Sequence, residues 1–356
     1  MNYLCRLTAF AIFFAFTAAC FSQESSPQFR NYDKNNDGKL TRDELSTPLF
    51  AELDADKNGE VTHEEDRAFL KRSATAQQPK MPPNVIAELD VPYAATGNPR
   101  QRLDIYLPSE FKTGKPRPVV VFVHGGGWQN GSPKQFEQHC LYLASRGIVA
   151  LTADYRVASR HSVKAVDCVR DAKSAIRWTR THSSELGIDA NRIAAGGGSA
   201  GGHLAACTAA LVDFDESSEG SAVSSKPNAL VLFNPAVALD TFEGGPTLAE
   251  KQVESLRERM GVESRLLSPA HHVQSAMPPT IIFFGTNDDL LLGAKFMEQQ
   301  MRKAGCRIEL VTYEGEKHGF FNFGRGDNSK FRDTLARTDQ FFISLGWLAG
   351  KPGAAE

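Results

Sequence analysis

The sequence predicts an α/β domain, a mostly parallel sheet with helices on both faces, preceded by a small N-terminal α-helical module. Three observations carry this. Apolar runs of strand length alternate with helical stretches over the longer, C-terminal part of the chain, the pattern of parallel strands joined by crossover helices. The polar, proline-rich stretch from Ser73 to Pro83 sets that part apart from what precedes it. Two acidic, glycine-bearing loops repeat in the N-terminal part. The 356 residues are 41% hydrophobic with a formal net charge of −2, which suits a globular chain, and no basic cluster points to nucleic acid.

In chain order, residues 1–22 read as a signal peptide. Arg6 is the positive start, and Leu7 to Ala19 is an apolar run too short to span a bilayer as a stable helix. Small residues follow at Thr17, Ala18 and Ala19, so cleavage falls before Cys20 or a few residues later, before Gln23. A lipoprotein reading makes Cys20 the acylated residue, although Thr17 stands where leucine is usual. The expectation is an exported protein, periplasmic or extracellular, that meets a membrane only if Cys20 is lipidated.

Residues 27–72 hold two EF-hand loops. In the first, Asp33, Asn35 and Asp37 occupy ligand positions 1, 3 and 5, Gly38 makes the sharp turn, Lys39 offers its carbonyl and Glu44 is the bidentate ligand. In the second, 21 residues on, the same places fall to Asp54, Asp56, Asn58, Gly59, Glu60 and Glu65. Each loop brings three carboxylates, enough to balance a dication, and Leu40 and Val61 stand where paired loops meet. Calcium is therefore the expected partner, with no role in catalysis. The close spacing leaves little room for full helices, so a dockerin-like docking module is the alternative.

After the linker at 73–84, residues 85–350 form the α/β domain. Val85 to Leu107 supplies extra antiparallel strands. The core strands are Val119 to Val123, Ile148 to Ala153, Arg192 to Ala195, Ala229 to Phe233, Thr280 to Phe284 and Arg307 to Thr312. A helix start is marked by Ser132 as N-cap, Pro133 and Gln135. Two insertions, Asp213 to Pro227 and Val237 to Gln274, are expected to rim the site, the first of them solvated.

Two motifs in this domain carry chemistry. Gly197 to Gly201 reads Gly-Gly-Ser-Ala-Gly, the Gly-x-Ser-x-Gly nucleophile elbow, entered by a strand and left by a helix from Ala200 to Leu211. His124 to Trp128 reads His-Gly-Gly-Gly-Trp, and its glycines let N–H groups reach a bound oxygen unobstructed. Ser199 is the candidate nucleophile. The acid and base should follow in the order Ser, acid, His. Asp288 and Asp289 compete for the acid at the tip of a strand; Asp288, three residues after Gly285, is favoured. His318, on the loop after the next strand, is the candidate general base.

At these residues the chain resembles the α/β-hydrolase carboxylesterases, in the branch whose His-Gly-Gly-Gly motif is shared with hormone-sensitive-lipase-like esterases. The Trp128 version also resembles acetyl-xylan and feruloyl esterases and arylformamidases. The resemblance implies an oxyanion hole made by the N–H groups of Gly126, Gly127 and Ala200. It departs from many relatives in having only a short polar segment where they carry a large helical cap. It implies a serine esterase for short-chain carboxylic esters, acetyl or feruloyl groups on polysaccharide included. An amidase, arylformamidase or peptidase with the same triad, and a non-catalytic calcium-dependent binding protein, remain as alternatives.

The other histidines, 124, 139, 161, 182, 203, 271 and 272, have no ligand spacing and read as loop-organising, surface or satisfied core residues. Trp128 either floors the pocket or packs. Cys140, Cys168, Cys207 and Cys306 show no zinc spacing and read as buried free thiols or disulfides.

Overall fold

The structure is a computed structural model that describes residues 29, 32–45, 48–68, 81–94, 101–219, 222–245 and 250–350. The segment read as a signal peptide, with Cys20, and most of the linker lie outside the described residues. The chain divides into two units between Gln78 and Pro79.

In the N-terminal unit, strand β1 (Lys39–Thr41) pairs antiparallel with β2 (Glu60–Thr62), and Leu40 lies opposite Val61. Those two residues pack with Phe29, Leu45, Phe50 and Leu53 into a small core. Helix α1 (Pro48–Leu53) has only six residues. The spacing between the loops leaves room for little more than one turn, so the unit is held by its apolar pairs rather than by helix length.

In the C-terminal unit, the described residues form one eight-stranded sheet from β3 (Val85–Pro92), β4 (Arg102–Pro108), β5 (Arg117–Val123), β6 (Val149–Ala153), β7 (Ile188–Gly198), β8 (Ala229–Phe233), β9 (Thr280–Gly285) and β10 (Ile308–Tyr313). The spatial order is β10-β9-β8-β7-β5-β6-β4-β3. From β6 to β10 neighbours run parallel, while β4 is antiparallel to both β3 and β6. Strand β5 shows why the sheet is covered twice. Val119, Val121 and Val123 enter one apolar cluster with α4 (Ala165–Thr181), α5 (Ala200–Ala210) and α7 (Leu291–Lys303). Val120 and Phe122 enter the other, with α2 (Glu137–Ser145) and α8 (Ser329–Ser344). The remaining described α-helices of this unit are the single turn α3 (Ala158–His161) and α6 (Glu250–Met260).

Two expectations change. Strand β7 continues past Ala195, where the sequence ends it, through Gly196, Gly197 and Gly198. They stay in the sheet because only glycine fits: a Cβ on Gly197 would lie 2.5 Å from the Val123 carbonyl oxygen. Most of the insertion after Asp213 is anchored away from the candidate site, although Glu216 meets Arg156, which follows β6, at 3.4 Å. Asp215 binds Lys173 and Arg177, each at 2.6 Å, and Asn228 N–H donates to Ile193 O at the early part of β7. That is the end of the sheet opposite Ser199. The buried Lys173 ammonium, which needs oxygen partners there, draws the acidic segment onto it.

All four described cysteines are free thiols, and Cys140, Cys168 and Cys207 are buried. His139, on α2, is wholly buried among Phe122, Phe136, Phe233, Phe321 and Phe331, with neither ring nitrogen hydrogen-bonded to a described residue. It is thus a core residue without partners rather than a satisfied one. Burial pushes its pKa down to about 3, and that of His203 to about 4. Both values lie below the unfolded value, near 6.5, so the unfolded chain binds these protons first as pH falls. Stability from this source is complete above pH 6.5 and declines on acidification towards pH 4, by about 1.4 kcal/mol per pH unit for each histidine. Urea unfolding followed by tryptophan emission reads this unit alone, because Trp128, Trp178 and Trp347 all lie in it. His139→Leu should halve the histidine part of the slope between pH 6.5 and 4; an unchanged slope would contradict the assignment.

Candidate active site

Four neighbouring strands each end in one residue of the candidate site: β7 in Ser199, β8 in Asn234, β9 in Asp288 and β10 in the loop bearing His318. Parallel strands with crossover helices bring such ends to one edge, which is why residues far apart in sequence meet there.

Ser199 sits at φ +53°, ψ −119°, a left-handed conformation costly for a residue with a side chain. The turn is locked on both sides. Ser199 N–H donates to Phe233 O at 2.9 Å, and Ser199 O accepts from His203 N at 3.0 Å. A Cβ on Gly201 would lie 2.0 Å from Val123 O, so helix α5 can approach β5 only through glycine. The strain holds the hydroxyl at the tip of the turn, partly exposed.

Asp288 is buried and its Oδ2 lies 2.7 Å from His318 Nδ1. Leu290 N–H donates to its Oδ1 at 3.0 Å. Asp289 is exposed and makes no such contact. An ionised carboxylate only accepts, so the proton of His318 sits on Nδ1 and Nε2 keeps its lone pair. Among the described residues the Ser199 hydroxyl is not hydrogen-bonded to the imidazole; such contacts often tighten only with substrate present. The imidazole is 45% exposed, open to an entering ester. Beside it a cleft of about 200 Å³ is lined by Glu316, Lys317, Phe320, Arg325, Asp327 and Lys330, among others.

The glycine loop after β5 turns through positive φ at Gly126 (+120°) and Gly127 (+63°). A Cβ on Gly126 would lie 2.0 Å from Asn130 O. The N–H groups of Gly126 and Gly127 donate to no described residue, and Ala200, first in α5, has none of its own helix's carbonyls within reach. Three donors are thus free on the edge where Ser199 stands. His124 braces the loop: Nε2 meets Asp154 Oδ1 at 3.1 Å, Nδ1 meets Gly125 O at 2.8 Å, and the ring stacks on Tyr155. Trp128 packs in the core. It is buried and donates from Nε1 to His203 Nδ1 at 3.1 Å.

Sequence reasoning missed three amide side chains. Gln135 was read as part of a helix start, but its Oε1 accepts from Gly125 N–H at 2.6 Å and its Nε2 donates to Asn322 Oδ1 at 3.0 Å. Asn322 Nδ2 donates to Gly319 O at 2.8 Å. Asn234 contacts both Asp288 and Gly319. No local pattern marks them; only the sheet order brings them together.

In the N-terminal unit, Asp54, Asp56 and Glu65 bring carboxylate oxygens within 4.8 Å of one another. Asp54 Oδ1 is buried without a hydrogen-bond partner. In the first loop the backbone turns onto its own side chains: Asp33 accepts from Asp37 N–H and Gly38 N–H, Asn35 from Asp37 N–H, Asp37 from Lys39 N–H, and Glu44 from Thr41 N–H. Asn58 Oδ1 accepts from Glu60 N–H in the second loop, and the Glu60 and Lys39 side chains pair with each other.

The chain matches the BD-FAE family over residues 103–295, the dienelactone hydrolase family over 261–345 and the EF hand over 27–49. It is similar to an isoprenylcysteine alpha-carbonyl methylesterase of Arabidopsis thaliana, 32% identical over 62% of this chain and 54% of that protein. Carboxylesterase NlhH of Mycobacterium tuberculosis is 26% identical over 70% of this chain and 81% of that one. The chain spans only about half the length of the first curated relatives it matches. Among solved structures, Thermogutta terrifontis esterase 2 bound to propionate is 48% identical, with a TM-score of 0.68 over 77% of this chain and 98% of its own. The same esterase phosphonylated by sarin is 47% identical at TM-score 0.70, over 77% and 99%.

Proposed function

The chain belongs to the BD-FAE family and is an α/β-hydrolase carboxylesterase, and from that premise we propose that it is an exported serine esterase for short-chain esters, acting through Ser199, Asp288 and His318. The observation that carries this is the 2.7 Å contact between Asp288 and His318 on the edge where the strained turn presents Ser199. His318 Nε2 takes the proton as Ser199 Oγ attacks the ester carbonyl, and Asp288 stabilises the imidazolium. The N–H groups of Gly126, Gly127 and Ala200 receive the oxyanion. His318 then protonates the departing alcohol. Water, activated by the same imidazole, releases the acid from the acyl-serine.

Acyl groups up to butyryl, including acetyl groups on polysaccharide, fit this reading. The Thermogutta relative is described with propionate and with butyrate bound. The predicted signal peptide supports export. In the N-terminal unit calcium suits the donor set: Asp54, Asp56 and Glu65 with Asn58 Oδ1 and the Glu60 carbonyl, since a cation would partner the buried Asp54 Oδ1. Asp33, Asn35, Asp37, the Lys39 carbonyl and Glu44 would form the first site. No residue of these loops takes part in the acyl transfer.

Steady-state kinetics on nitrophenyl esters from acetyl to decanoyl, with calcium and then with chelator, test this. The expected kcat/KM peaks by butyryl, since each further methylene gains about 0.8 kcal/mol only where it finds apolar surface. Chelation should leave kcat unchanged. A kcat/KM still rising beyond eight carbons would contradict the short-chain reading, and a large loss of kcat on chelation would contradict the separate role of calcium.

A further inference from the structure

We infer that Asn234 is a positioning residue that sets the acid and the base against each other, an inference that rests on the triad reading above. Asn234 is fully buried and ends the strand lying between those that end in Ser199 and Asp288. Its backbone adopts φ +43°, a conformation that asparagine tolerates better than most residues. Backbone N–H donates to Phe283 O at 2.9 Å, anchoring it to β9, while the preceding carbonyl, Phe233 O, receives Ser199 N–H. Its side chain faces the other way round the site. Nδ2 donates to Asp288 Oδ2 at 2.8 Å, the oxygen that also meets His318 Nδ1. Oδ1 accepts from Gly319 N–H at 3.3 Å, next to His318 in the chain.

The amide orientation is set by chemistry. A carboxylate offers no proton and a peptide N–H accepts none, so only this orientation satisfies both sides. One small side chain therefore fixes the rotamer of the acid and the start of the peptide after the base. Asn322 holds the carbonyl of the same residue, Gly319 O, at the start of the following peptide. A carboxylate oxygen receiving two N–H donors, from Asn234 and His318, cannot swing away from the imidazole without breaking both bonds. Such hold on geometry matters because a displacement of about 1 Å in a reacting group costs about 10²-fold in rate.

The test uses two variants of the full chain. Asn234→Gly keeps the positive φ and deletes the amide. It is expected to lower kcat about 10²-fold with KM within about threefold of wild type, because substrate binding is untouched while the transition state loses its aligned base. Asn234→Asp keeps the shape and the contact to Gly319 but sets a second carboxyl against Asp288, so the buried pair shares one proton at low pH. As that proton leaves, the added negative charge favours the imidazolium, and the acid limb of kcat/KM should move up by about one pH unit. The other charged groups about His318 are Glu316, Lys317, Arg325, Asp327 and Lys330 along the cleft, and Asp289 stands next to Asp288. All are unchanged in both variants, so a moved limb reports on the Asp288–His318 pair. A residue that merely helps folding would lower the yield of active enzyme without moving the limb. The inference is overturned if Asn234→Gly keeps kcat within threefold of wild type, or if Asn234→Asp titrates as wild type does. Asp288→Asn measured alongside separates the two levels: if it too stays active, the triad reading itself has failed.

Discussion

Ser199→Ala is expected to lower kcat on short nitrophenyl esters by about 10⁶-fold, to the residual rate that binding and the oxyanion donors alone sustain. The size follows from how the parts depend on one another. Without the hydroxyl there is no acyl-serine, so the base has no serine proton to take and the oxyanion donors serve only a slow direct attack by water. Methyl for hydroxymethyl is a small change in a partly exposed turn, and alanine adopts the same backbone at little further cost. The variant should therefore fold and melt as wild type does. A variant that retains more than a tenth of the wild-type rate would place the nucleophile elsewhere.

Asp288→Asn is the second large effect, on the order of 10⁴-fold in kcat. The carboxylate at 2.7 Å keeps the proton on His318 Nδ1. An amide in its place can present N–H to that nitrogen, which moves the proton to Nε2 and removes the lone pair that must face Ser199. Asn234 adds to the loss, because its Nδ2 then has an amide in place of the carboxylate it donates to. Asp289→Asn should cost less than threefold, as Asp289 is exposed and outside this contact. The two variants are compared by kcat at the pH optimum, and a reversed ranking would reassign the acid.

Much of this site was legible in the sequence because its chemistry imposes local patterns. The elbow needs glycine on both sides of Ser199, and the oxyanion loop needs glycine where N–H groups turn inward. A carboxylate at a strand tip and a histidine on the next loop are likewise readable. The two acidic loops were legible because all the ligand positions fall within twelve residues. Strands such as Val119 to Val123 stood out because a strand covered on both faces is apolar throughout.

What escaped notice depends on which strands are neighbours. Asn234 follows a strand and precedes a proline, the ordinary setting of a turn residue. Its contacts arise only because β8 lies between β7 and β9. Gln135 suits a helix start equally well, and Asn322 has no pattern at all. The acidic segment after Asp213 looked solvated, since the buried cations of Lys173 and Arg177 that hold it lie on a helix some 40 residues earlier. His139 looked ordinary because, apart from Phe136, its aromatic surroundings, Phe122, Phe233, Phe321 and Phe331, lie far from it in the sequence.

The central claim is that catalysis runs through a covalent bond at Ser199 activated by His318. Labelling with a fluorophosphonate, read by intact mass and by peptide mapping, tests it most directly. The account predicts one adduct per chain, on the peptide bearing Ser199, with esterase activity lost in step with labelling. Ser199→Ala should take up none, and His318→Ala should label far more slowly. Full hydrolysis by a chain that takes up no label, or an adduct on any residue other than Ser199, would contradict the account.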